Sequence, residues 1–258
     1  MTIRRFVTVA ATVALSALAL SNTPQPVTAA VINWGSAQAI TGNSDVLTTG
    51  TLFASANFAG SNTTVNGVTF NAFPLTGGGT SATVGNISVL AVAGSGTGFI
   101  PGLLPTTDIN TWATLSTEYK NLLEPTLRRG GGGSLQFTLS NLTVGGSYAI
   151  QYWVNDSRWS NPSGITVNVG TAVLTPNTGS VTGGVGQWVT GLFTANAPTE
   201  TFSASPATLS TTYANAMQVR LLAVPEPSTV AVMGAAGGMA TMLRLRRSRR
   251  AVAPATAL

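Results

Sequence analysis

From residue 31 to residue 222 the chain is cut into short apolar runs by Gly, Asn, Ser and Thr. A fold built from such runs cannot rest on long helices. It must bury many brief elements against one another, and the spacing of the apolar residues says that most of these are strands. Runs at 51–58, 67–73, 87–93, 134–139, 148–154, 164–169, 187–193, 199–203 and 216–222 all fit. Several alternate as a half-buried strand does: Leu135, Phe137 and Leu139 fall on one face, as do Ile150, Tyr152 and Val154, or Ile165, Val167 and Val169. Many short strands with turn residues between them predict an all-β domain, a β-sandwich or jelly roll.

One segment changes period. Between Asp108 and Leu123, the residues Trp112, Leu115, Tyr119, Leu122 and Leu123 recur at helical spacing, with Asp108 or Thr111 as cap and Pro125 as stop. This predicts a single amphipathic helix covering an open end or edge of the sandwich. The run Arg128-Arg129-Gly130-Gly131-Gly132-Gly133 reads as a flexible, exposed link to the next strand.

Both ends are topogenic. Residues 1–30 have the order of a secretory signal peptide: Arg4 and Arg5, an apolar stretch at 6–20, then polar and small residues. Cleavage is expected after Ala29 or after Ala30. At the other end, Val224-Pro225-Glu226-Pro227-Ser228 precedes an apolar run at 229–243, then Arg244, Arg246, Arg247, Arg249 and Arg250, and a short tail at 251–258. An apolar segment closed by arginines is a membrane span with a cytoplasmic stop. Roughly 15 residues of helix reach only about 22 Å of the usual 30 Å core, so the arginines must snorkel or the bilayer thin.

Charge supports the same topology. The formal net charge is +5, yet Arg4, Arg5 and the five C-terminal arginines lie outside the middle segment. That segment sets Lys120, Arg128, Arg129, Arg158 and Arg220 against Asp45, Asp108, Glu118, Glu124, Asp156 and Glu200. Five cations against six carboxylates do not make a phosphate-binding surface, so no nucleic-acid partner is expected. The chain has no Cys and no His, which excludes Cys-His and Ser-His-Asp nucleophiles and the usual zinc sites. No cofactor is expected. A structural calcium ion remains compatible with Asp45 beside Asn43 and Ser44, or with Asp156 beside Asn155.

The C-terminal order of Pro225-Glu226-Pro227, apolar span and Arg-rich end resembles the PEP-CTERM sorting signal of Gram-negative and related bacteria. The resemblance implies recognition of Pro225, Glu226 and Pro227 by an exosortase, a membrane-embedded cysteine enzyme. It also implies a transient hold in the membrane and delivery to the cell surface or extracellular matrix, where exopolysaccharide or another envelope glycan is the expected partner. The middle of the chain is similar to a secreted β-sandwich of planctomycete proteins with the same tail. The matching words include Asn66-Gly67-Val68-Thr69-Phe70, Trp153-Val154-Asn155-Asp156-Ser157-Arg158 and Asn215-Ala216-Met217-Gln218-Val219-Arg220. That likeness implies a fold and a setting but no activity.

Three functions follow as expectations. The first is a non-enzymatic structural or adhesive component of the envelope. The second is a lectin-like module using Trp153, Asp156 and Arg158, because sugars offer C–H faces to an aromatic ring and hydroxyls to charged groups. The same residues also suit a loop closed by an Asp156 pair with Arg158 or Arg220, with the tryptophans in the core. The third is a glycoside hydrolase, for which two carboxylates must face one cleft, and nothing in the sequence marks such a pair.

Overall fold

The computed structural model describes residues 29–224, except 93, 95–97, 104–107, 159–163, 180 and 208–210. The signal segment up to residue 28 and the whole C-terminal signal from Pro225 lie outside the described residues. Among those described, no helix is long and apolar enough to cross a membrane.

The protein is mostly β. In chain order the strands begin with β1 (Asn33–Trp34), β2 (Gln38–Ala39), β3 (Thr51–Phe58), β4 (Thr63–Val65), β5 (Val68–Phe70) and β6 (Ala72–Phe73). Next come β7 (Ser81–Val84), β8 (Ile87–Val92) and β9 (Ile100–Leu103), the helices α1 (Asn110–Ala113) and α2 (Thr117–Leu123), and β10 (Pro125–Arg129). The second half holds β11 (Ser134–Leu139), β12 (Ser147–Val154), β13 (Val167–Val169), β14 (Ala172–Leu174) and β15 (Gln187–Thr194). Last are β16 (Glu200–Pro206), β17 (Thr212–Ala214) and β18 (Ala216–Ala223).

Two large sheets dominate. One runs β1-β15-β12-β18-β3-β6, with β2 also pairing β15; the other runs β14-β13-β16-β11-β8-β7. Alternating side chains of both enter one apolar core. Tyr148, Ile150, Tyr152 and Val154 of β12 meet Leu135, Phe137 and Leu139 of β11, together with Phe202 of β16. Phe137 stacks on Phe202 with centroids 5.0 Å apart and meets Tyr152 edge-on at 5.6 Å. Such ring pairs add to the area that each side chain removes from water. A three-stranded sheet, β17-β10-β9, joins this core through Leu127 and Ala214.

The larger sheet is covered on its second face too, so β12 is buried on both sides from Tyr148 onward. Trp153 and Ala216 point into a second core with Trp112, Leu115, Tyr119, Leu122, Leu123, Ile40, Val46 and Phe70. The helices therefore cover a sheet face, and not the open end or edge that the sequence suggests. The helical spacing is also carried by two helices, not one. Ser116 interrupts it: its hydroxyl accepts from the Tyr119 amide at 3.2 Å and caps α2, while neither Asp108 nor Thr111 acts as a cap.

Two further expectations are corrected. Residues 67–73 form two strands. Asn66 and Gly67 make the two-residue turn between β4 and β5 with φ of 50° and 74°, the left-handed conformation that a hairpin of this length needs. Arg128 and Arg129 belong to β10, paired with β9 and β17, and Arg129 is buried. The glycines after them form a tight turn, closed by the Gly133 amide on the Gly130 carbonyl at 3.2 Å, that delivers the chain into β11.

Candidate functional site

The polar cluster after β12 is a structural junction. The Asn155 amide donates to Asn215 Oδ1 at 2.7 Å, and Asn215 Nδ2 faces the carbonyls of Leu123, Pro125 and Asn155 at 2.6, 3.1 and 3.1 Å. Asn155 Oδ1 in turn accepts from the Gly186 amide at 2.9 Å. Only glycine fits there, because a Cβ on Gly186 would overlap the Val154 carbonyl oxygen. The two asparagines thus tie the end of α2, the start of β10, the end of β12 and the entry to β15. Buried amides hydrogen-bonded on every side hold backbone in place and leave little to offer a ligand.

Asp156 and Arg158 close a loop against each other. Arg158 Nε and Nη2 each donate to an Asp156 carboxylate oxygen at 2.9 Å, a two-pronged ion pair, and the Arg158 amide adds a third bond at 3.3 Å. This hydrogen bonding raises the Arg158 pKa, with burial opposing it. Burial and the Asp156 charge push Tyr213 up to about 12. Arg220 takes no part: its guanidinium fans over the carbonyls of Thr48, Thr49 and Gly50 at 2.7–2.8 Å, and burial lowers its pKa.

Trp153 is fully buried, so the expected aromatic platform for sugar is a core residue. Its Nε1 donates to the Tyr119 hydroxyl at 3.0 Å, and that hydroxyl donates to Asp45 Oδ2 at 3.1 Å. Burial first, then the Asp45 charge, drives the Tyr119 pKa far up, which keeps the proton available for this bond. Asp45 also accepts from the Thr41 amide at 2.7 Å, the Thr41 hydroxyl at 2.6 Å and the Gly42 amide at 3.0 Å. Four donors satisfy this carboxylate by hydrogen bonds alone. Asn43 Oδ1 is likewise taken by the Ser116 hydroxyl at 2.8 Å. No group of three or more acidic side chains that could hold a metal occurs among the described residues.

None of three depressions among the described residues is lined by two carboxylates. Asp45, Asp156 and Glu200 are buried in hydrogen bonds, Asp108 pairs with Lys120, and Glu118 is exposed. A depression of about 410 Å³ beside α2 holds one carboxylate, that of Glu124.

What the fold does assemble is an uncharged face. Outward positions of the smaller sheet align across strands: Thr201, Thr138, Ser88 and Thr83 form one row, and Ser203, Gln136, Leu90 and Ser81 the next. Asn168 lies opposite Ser205 at the margin. No charged side chain occupies either row. Thr83 and Ser88 share a hydrogen bond of 2.8 Å across the strands, which keeps these hydroxyls ordered. Beside this face a depression of about 410 Å³ is lined by Trp34, Phe202, Ile32, Thr201 and Ser203, and the Trp34 ring there is only partly buried. The sequence contained this signal, since the polar members of the alternating runs had to lie on one face.

No family model, curated protein or solved structure matches this chain.

Proposed function

We propose that this is an exported, non-catalytic protein of the cell envelope or extracellular matrix, a β-sandwich of the jelly-roll kind that packs among polysaccharide. The PEP-CTERM-like tail supports delivery by an exosortase-type enzyme, with a transient membrane hold before release at the surface. The observation that carries the structural or adhesive role is the uncharged hydroxyl and amide face of the smaller sheet. The Thr, Ser and Gln side chains of this face, with Leu90 exposed among them, offer hydrogen bonds to sugar hydroxyls without ionic partners.

The test is sedimentation of the exported protein with the extracellular polysaccharide of its own producer. Placing charge in the middle of the face, as Thr138→Glu with Gln136→Glu, is expected to lower the bound fraction at least tenfold without changing thermal stability by more than a few degrees. Undiminished binding by that variant sinks the reading.

The Trp34 depression favours a second reading, a lectin-like site, since it sets a partly exposed indole beside the hydroxyls of Thr201 and Ser203. In that case Trp34→Ala alone abolishes binding on a glycan array, and a few defined oligosaccharides are selected. The structural reading predicts weak dependence on Trp34 and on sugar sequence.

A further inference from the structure

Among the described residues, Glu200 is the one buried carboxylate that neither pairs with a side-chain cation nor belongs to the junctions described above. It is 3% exposed at the start of β16. Oε1 accepts from the amides of Asn196 and Ala197 at 2.9 and 3.2 Å. Oε2 accepts from the backbone nitrogen of Ala30 at 2.7 Å, across 170 residues of sequence. Among the described residues the ion pairs are Lys120 with Asp108 and Arg158 with Asp156, so no lysine or arginine neutralises Glu200. Burying an unneutralised carboxylate is costly even with amide donors around it.

Ala30 also marks a change in the chain's environment. Ala29 is exposed, whereas Ala30 packs against the main core with Ile32 and Trp34, and β1 then joins the larger sheet against β15. Among the described residues, packing against the core therefore starts at the residue whose nitrogen meets Glu200.

We infer that the Ala29–Ala30 peptide bond is the processing site, and that Glu200 is the receptor for the α-ammonium group that cleavage creates on Ala30. This rests on the export reading above, and it chooses between the two bonds that the small residues at this point allow. In the hydrolysis, the hydroxyl of a water molecule goes to the Ala29 carbonyl carbon and the C–N bond breaks. The released nitrogen keeps its hydrogen and gains two protons, one from the water and one from the new carboxyl group, leaving a carboxylate on Ala29 and –NH3+ on Ala30. A single N–H donor to Oε2 thereby becomes a charged group with three donors, and the buried carboxylate acquires its counter-ion. Cleavage one bond later would remove Ala30 and leave Oε2 without this donor.

The test uses the full chain passed through a bacterial export route. N-terminal sequencing of the exported product is expected to begin Ala30-Val31-Ile32. The amine is then titrated by the pH dependence of its reaction with an amine-selective reagent. An ordinary α-amino group titrates near pH 8. In the wild type the midpoint is expected to lie at least about one unit higher, and in Glu200→Gln to return to the ordinary value. That variant keeps an oxygen for Asn196 and Ala197; if it does not fold, the wild-type midpoint alone decides. A product that begins at another residue, or an ordinary midpoint in the wild type, overturns the inference and leaves export standing. A chain that stays in the cytoplasm at full length overturns the export reading itself.

Discussion

Gln218 donates from Nε2 to Oε1 of Gln151, directly opposite it on the neighbouring strand, at 2.8 Å, with both side chains buried. The pair reaches beyond the sheet. Gln151 Oε1 also accepts from the Leu47 amide at 3.0 Å and its Nε2 donates to the Asp45 carbonyl at 2.6 Å, while Gln218 donates to the Leu47 carbonyl at 3.1 Å. Two glutamines therefore hold the segment around residues 45–47 against β12 and β18.

Replacing one member leaves several buried groups unpaired. Gln151→Leu is expected to cost about 2–4 kcal/mol, because the Leu47 amide, the Asp45 carbonyl and Gln218 Nε2 lose a partner together. Gln151→Leu with Gln218→Leu should cost clearly less than the sum of the two single changes. Urea unfolding of the four proteins in a double-mutant cycle measures this, and strict additivity would show that the pair is not coupled.

Alkaline pH should unfold the protein through its tyrosines. Burial raises the pKa of Tyr152 well above its ordinary 10, and Tyr213 is held at about 12. A group whose folded pKa is raised contributes stability that is fully present below the unfolded value. It is lost as pH rises through the folded value. Stability is therefore expected to be insensitive to these tyrosines up to pH 10 and to fall between pH 10 and 12. Tyr213→Phe should soften the fall. Tyrosinate absorbance that is complete by pH 10.5 in protein still folded by circular dichroism contradicts the prediction.

Gly186→Ala should cost about 2–3 kcal/mol, since the new methyl group overlaps the Val154 carbonyl oxygen and the strand ends must part. Gly77→Ala is the matched control, where a Cβ meets nothing within 4 Å. Its thermal midpoint should stay within a degree or two of wild type. Equal losses in both variants would mean that backbone freedom, not crowding, decides at Gly186.

The sorting proposal is checked with a tag placed upstream of Val224. In a host carrying an exosortase, wild type should be processed and released, while Glu226→Ala accumulates in the membrane fraction by at least tenfold. Equal processing of the two chains rules out recognition of Pro225-Glu226-Pro227.

Strand β11 was legible because one of its faces alone is buried, whereas short strands such as β7 and β14 carry too few alternating residues to stand out. The run at 134–139 coincides with β11 at both ends, because Leu135, Phe137 and Leu139 face the core while Gln136 and Thr138 face outward; the run at 51–58 coincides with β3, whose last four residues are all buried. Strand β10 has no such alternation. It begins at a proline, carries two arginines and runs into four glycines, yet its pairing with β9 and β17 and the burial of Leu127 make it a strand. Tertiary pairing overrode local preference there. The helix was legible as a period and not as a break, because Trp112 through Leu123 keep their spacing across the capping hydroxyl of Ser116.

For Trp153 the sequence left two readings, a platform for sugar or a core residue, and the structure shows the second. Its burial depends on Tyr119, 34 residues earlier in the chain, on Phe70, whose ring meets it edge-on at 5.6 Å, and on a helix layer lying over that face of the sheet. A tryptophan beside an aspartate and an arginine looks the same in sequence whether the ring is covered or open. Only the long-range partners separate the two cases.

Strand β18 lies in the middle of the larger sheet, between β12 and β3, and ends at Ala223, two residues before Pro225. Any pull on the tail is therefore delivered almost without slack to a central strand, along its own axis. The ladder bonds to both neighbours then bear the load side by side in shear, and many must fail at once before the strand slides out. An edge strand would instead be peeled away one bond at a time. The placement of β18 thus makes the domain resistant to tension applied at Ala223, the end of a strand bonded on both sides.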